Sequence, residues 1–109
     1  VKHENFQVEG DVVKQDERYV VIDNKALNNL VLSSTLLHPG KSTSGHRHAG
    51  QEEVYFFTMG VGTMQLDDET FAVKAGDIIQ IKDNVFHRVF NDSNDELYFV
   101  CVFDGRRNH

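Results

Sequence analysis

A chain of 109 residues, 39% hydrophobic and with a single proline, is sized for one domain around one core. Its net charge of −6, with six histidines counted neutral, argues against nucleic-acid or anionic-membrane partners. No apolar run approaches the roughly 20 residues of a membrane helix, no leader is visible at Val1, and the lone Cys101 has no internal disulfide partner, so a reducing, cytoplasmic setting is expected.

Strand signals recur along the chain and helix signals are poor. The first ten or so residues are polar and read as an edge strand or an arm. Strands are then expected at Tyr19–Asp23, Leu30–Leu37, Val54–Thr58, Gly62–Leu66, Phe71–Lys74, Ile78–Ile81, His87–Phe90 and Leu97–Phe103, all rich in Val, Ile, Phe, Tyr and Thr. Asp67-Asp68, Ala75-Gly76-Asp77, Lys82-Asp83-Asn84 and the stretch from Asn91 to Asp95 supply the turns. Many short, evenly spaced strands read as an antiparallel sandwich or barrel. Residues 1–109 form one domain without linkers or repeats, and Gly105 to His109 is expected to fray, with His3 and His109 solvated.

The chemistry concentrates in His46, His48, Glu53 and His87. In a strand, side chains at i and i+2 share a face with Cα atoms about 6.5 Å apart, so His46 and His48 can aim at one ion. Ala49 and Gly50 let the chain turn, Glu53 starts the returning strand, and His87 comes from a distant one. Three imidazoles and a carboxylate suit one divalent transition metal, and Fe, Mn, Ni, Cu and Zn all fit that donor set. Glu52 is the alternative carboxylate.

Two motifs carry a family likeness. Gly40, His46, His48, Glu53 and Gly60 make a first motif over residues 40–60, and Gly76, His87 and Asn91 a second over 76–91. At these spacings the chain resembles a small single-domain cupin. It departs from the usual second motif at Lys82, where proline is common, and at Asn84, where glycine is. Asn tolerates the left-handed backbone that glycine serves, so the turn should survive. The resemblance implies an all-β, double-stranded β-helix, that is, a jelly-roll cupin barrel, with His46, His48, Glu53 and His87 as metal ligands.

Alternation extends the site. If Glu53 faces inward, so do Tyr55, Phe57 and Met59; if His87 does, so do Val89 and Asn91, with Asn91 holding a turn. The last strand is apolar on both faces, which calls for cover on its outer side from the N-terminal segment or a second subunit. Phe56, Phe86 and Phe90 are the dimer-surface candidates. Tyr55, Glu52 and His38 are the candidates for a catalytic base, and no inward basic residue is evident. The resemblance admits three functions for a partner that is a small polar metabolite. One is a metal-dependent isomerase of sugars or phosphosugars, with the metal as Lewis acid. The second is a non-haem iron dioxygenase with a pocket of Phe57, Met59, Val89 and Phe99. The third is a non-catalytic ligand-binding or sensor protein.

Overall fold

A computed structural model of the chain describes residues 1–105. Nine strands follow one another: β1 (Asp11–Gln15), β2 (Tyr19–Asn24), β3 (Leu30–Leu37), β4 (Glu53–Met59), β5 (Val61–Leu66), β6 (Glu69–Lys74), β7 (Ile78–Ile81), β8 (His87–Phe90) and β9 (Leu97–Asp104). All eight strands expected from the sequence form; the first ten residues form no strand, and the edge strand β1 follows directly after them. His109 and the rest of the C-terminal tail lie outside the described residues.

The strands make two antiparallel sheets, one ordered β1-β2-β3-β9-β4-β7 and the other β6-β5-β8. This is a double-stranded β-helix. Among the described residues, no helix is long and apolar enough to cross a membrane. The main core joins the two sheets. Tyr19, Leu37, Tyr55, Phe57, Leu97 and Phe99 come from the larger sheet and Met64, Val73 and Val89 from the smaller. These are alternate residues of their strands, as a pleated sheet with one buried face requires.

β9 resolves its own ambiguity. Leu97, Phe99 and Cys101 face the main core, while Tyr98 and Val100 form a second cluster with Val8, packed by Ile22, Leu32, Leu36 and Phe56. The N-terminal segment provides part of that outer cover, and the Val8 backbone N–H donates to the Tyr98 hydroxyl at 3.1 Å. Phe56 packs against this cluster, Phe90 lies under the Arg88 guanidinium at 4.9 Å, and Phe86 packs beside Gly45. Each of the three phenylalanines expected at a dimer surface is thus half-buried within its own chain.

Met59 does not face inward. The β4–β9 register shifts between Phe57 and Met59, which breaks the alternation, and Met59 is exposed. The turn that follows needs glycine: Gly60 has φ +91°, and a Cβ there would strike the Glu96 carbonyl. Asn84 adopts φ +62°, so asparagine does take the left-handed position usually filled by glycine. His3 is half-buried, and its Nδ1 accepts the Glu9 N–H at 3.0 Å, so it ties down a turn and is not a fully solvated ring.

Candidate metal centre

The four metal-ligand candidates come from three places in the fold. Glu53 opens β4 and His87 opens β8, both buried. His46 lies outside the named strands, in an isolated bridge opposite His87, with backbone hydrogen bonds of 3.1 and 2.9 Å in the two directions. His48 follows in a loop whose carbonyl accepts the Asn84 N–H at 3.1 Å, so the turn of the second motif holds the loop of the first. The His46–His48 segment is therefore not the regular strand expected. Its two rings nevertheless stand 4.4 Å apart, and the His46 ring lies 4.5 Å from that of His87.

His46, Glu53 and His87 each offer a ligand atom within 4.8 Å of the others. Two atoms on opposite sides of one ion at about 2.1 Å would be roughly 4.2 Å apart, so the cluster is near binding size. The His48 ring reaches 6.2 Å from that of His87 and stands outside the tighter group.

The chemistry of the buried pair tests whether an ion fits. The Nδ1 of His87 lies 3.1 Å from the Val85 carbonyl, which places a proton on Nδ1, so that the neutral ring presents Nε2 as a lone pair. That Nε2 is 3.1 Å from Glu53 Oε2, yet it has no hydrogen-bond partner of acceptable geometry. A lone pair and a carboxylate buried face to face are stabilised by a cation that both can ligate. The other Glu53 oxygen accepts the Cys101 thiol at 3.4 Å. The donor set and its burial fit a divalent transition metal.

Protonation supports the same reading. Although His46 is exposed at its edge, partial desolvation, aided by the neighbouring rings of His87 and His48, lowers it to about 4, so this imidazole is neutral and able to ligate at neutral pH. Burial pushes the Glu53 carboxyl up, but its contacts with His87, Cys101 and His48 outweigh that and hold it below its ordinary value. Burial raises Tyr55 well above the usual phenol range, and it raises Cys101 likewise. Both keep their protons, and the Cys101 thiol donates to Glu53.

A cavity of about 280 Å³ opens beside the cluster. His46, His48, Glu53 and His87 all border it, as do Tyr55, Phe99, Cys101 and Phe103. Phe57, Met59 and Val89 do not. Tyr55 stacks on Phe99 at 5.0 Å and meets the His87 ring edge-on at 5.9 Å. Of the base candidates, only Tyr55 borders the cavity. Glu52 is exposed and borders a separate depression, and the Nδ1 of His38 is 2.9 Å from Glu96 Oε2, away from the cluster. Asn91 does hold a turn: its Nδ2 donates to the carbonyls of Leu37 and Asp95, and its Oδ1 accepts from Ser93. Arg88 donates to the Thr43 carbonyl and Arg47 to that of Asn84, both outside the cavity lining.

Several lining residues escaped the sequence reading. Asp23, Ser33 and Thr35 reach the cavity from β2 and β3, Gln51 from the loop before β4, and Lys14 from β1. Alternation of β2 through Tyr19, Val21 and Asp23 was available as a signal. The run Ser33-Ser34-Thr35 is polar on both faces and hides its inward side. Lys14 corrects the expectation that no basic residue turns inward.

The cupin domain model matches residues 34–103. The chain belongs to the cupin family. An uncharacterised protein of Methanocaldococcus jannaschii is 37% identical to this cupin over 70 residues, 64% of this chain and 56% of that protein. An oxalate-binding protein of Thermotoga maritima is 32% identical over 66 residues, 61% of this chain and 54% of that protein. The cupin thus spans about half the length of the curated relatives it matches. A Klebsiella pneumoniae protein with a double-stranded β-helix domain superposes with a TM-score of 0.79 at 20% identity, over 90% of this chain and 86% of that one. At that identity the likeness speaks for the fold alone.

Proposed function

We propose that this chain is a metal-dependent cupin that binds, and acts as a Lewis-acid centre on, a small oxygen-rich acid. The observation that carries the reading is the buried His87 Nε2, unpartnered and 3.1 Å from Glu53 Oε2, on the wall of the cavity. His46, His48, Glu53 and His87 would hold a divalent ion. Such an ion supplies charge that polarises a ligated carboxylate or carbonyl oxygen. Val85 orients the His87 ring, and Cys101 orients the Glu53 carboxylate. Tyr55, Phe99 and Phe103 give the cavity an aromatic wall that excludes water from one side of a ligand. The similarity to an oxalate-binding protein supports a small acid as the ligand class and makes oxalate the first probe.

The acid is favoured over sugar or phosphosugar isomerisation because none of the three base candidates from the sequence serves. Tyr55 keeps its proton, and neither Glu52 nor His38 borders the cavity. The aromatic wall favours a second reading, a non-haem iron dioxygenase, which iron content and oxygen consumption would single out. Binding without turnover would leave a non-catalytic ligand-binding cupin.

Elemental analysis of protein purified without added metal or a chelating tag tests the site. Near-stoichiometric divalent metal is expected, lost in His48→Ala and in His87→Ala with the barrel still folded. Calorimetric titration should then show oxalate binding to the metal-loaded protein alone. Unchanged metal content in both variants, or no retention after loading, would overturn the reading.

A further inference from the structure

β1 is exposed along its whole length, yet its middle borders the cavity. The β1–β2 register explains how. Val12 pairs with Ile22 and Lys14 with Val21, so Val13 is an extra residue opposite a single step of β2. That is a β-bulge, a device that re-aims side chains beside functional sites. Ile22 packs on the outer cluster and Val21 borders the cavity. Strict alternation from Val12 would send Lys14 outward with Ile22. The bulge sends it inward with Val21.

We infer that Lys14 is the specificity-determining residue of the cavity, binding a second anionic group of an acid whose other end meets the His46–Glu53–His87 cluster. This rests on the proposed function, and it narrows the ligand class from any small acid to a two-ended one. Among the described residues, Lys14 is the single lysine or arginine on the cavity lining. Asp23 stands on the same wall, but its Oδ1 accepts the Ser33 hydroxyl at 2.7 Å and so is engaged within the wall. Lys14 and the His46, Glu53 and His87 cluster border the same cavity, so one ligand in it meets both.

Two α-hydroxy acids separate the ends. Malate and lactate share a chelating end, and malate adds one distal carboxylate. In calorimetric titration of the metal-loaded protein, malate should bind about 3- to 10-fold more tightly than lactate. Lys14→Met should erase that preference by weakening malate about 3- to 10-fold more than it weakens lactate, and Lys14→Arg should keep most of it. Lys14 is exposed on an edge strand, so neither change threatens the fold. A malate preference that survives in Lys14→Met, or is absent from the parent, overturns the inference while lactate or oxalate binding leaves the proposed function standing. Failure of oxalate, lactate and malate alike to bind the metal-loaded parent overturns both.

Discussion

Glu53 pairs with Phe103 and Tyr55 with Cys101, so Cys101 sits diagonally across the β4–β9 ladder from Glu53. At that offset a thiol reaches one carboxylate oxygen while the other faces His87. Burial keeps the thiol protonated, which is what a donor needs. Its role follows from position and not from reactivity. Cys101→Ala should weaken metal affinity about 10-fold or more, the usual scale for a group that orients a ligand. Cys101→Ser, which keeps a donor, should recover most of it. Competition titration with a chromophoric chelator reads both values, and equal affinity in all three proteins would reduce the thiol to packing.

The elements deliver the ligands through their ends. β4 begins at Glu53 and β8 at His87, and the His46 bridge docks the first-motif loop alongside β8. At the other end of β8, Asn91 donates to Leu37 on β3 and to Asp95 in the turn before β9. One side chain therefore fastens the smaller sheet to the larger. Asn91→Ala strips two donors from carbonyls in a buried setting. It should cost about 2 kcal/mol or more of unfolding free energy, measured as a lower urea midpoint with an unchanged slope. Metal stoichiometry at neutral pH should stay the same, because Asn91 does not border the cavity. The second-motif asparagine was legible as a turn residue from its spacing. Its partners were not, because Leu37 lies 54 positions away in the chain.

Across the whole molecule, acid should act through the cluster. In the metal-free protein, His46 is lowered to about 4 by partial desolvation and its imidazole neighbours, against an ordinary 6.5. Between those values the unfolded chain binds more protons at this residue than the folded one. Stability therefore falls as pH drops from 6.5 towards about 4. Glu53, held below its ordinary 4.5, adds a loss of the same sign at still lower pH. Melting temperatures of the metal-free protein should fall from pH 7.5 to 4.5, and His46→Gln should flatten the upper part of that slope. The metal-loaded protein should fall more steeply, because protons compete with the ion for the same imidazoles. A pH-independent melting temperature would mean that His46 is not held low by its imidazole neighbours and partial desolvation.

The sequence by itself determined the strands, the antiparallel all-β class and the two motifs, because period-two alternation and turn residues are local signals. It also carried the inward direction of Tyr55, Phe57 and Val89, which follows from alternation in unbroken strands. Only the tertiary structure decided which face of β9 looks inward, since both faces are apolar and their cover is remote in the chain. The register shift after Phe57 turned Met59 outward, and the bulge at Val13 turned Lys14 inward. Alternation cannot foresee either, because a bulge is defined by the partner strand. The same holds for the buried Glu53–His87 pair: spacing nominated its members, but their 3.1 Å approach exists only once β4 and β8 meet across the barrel.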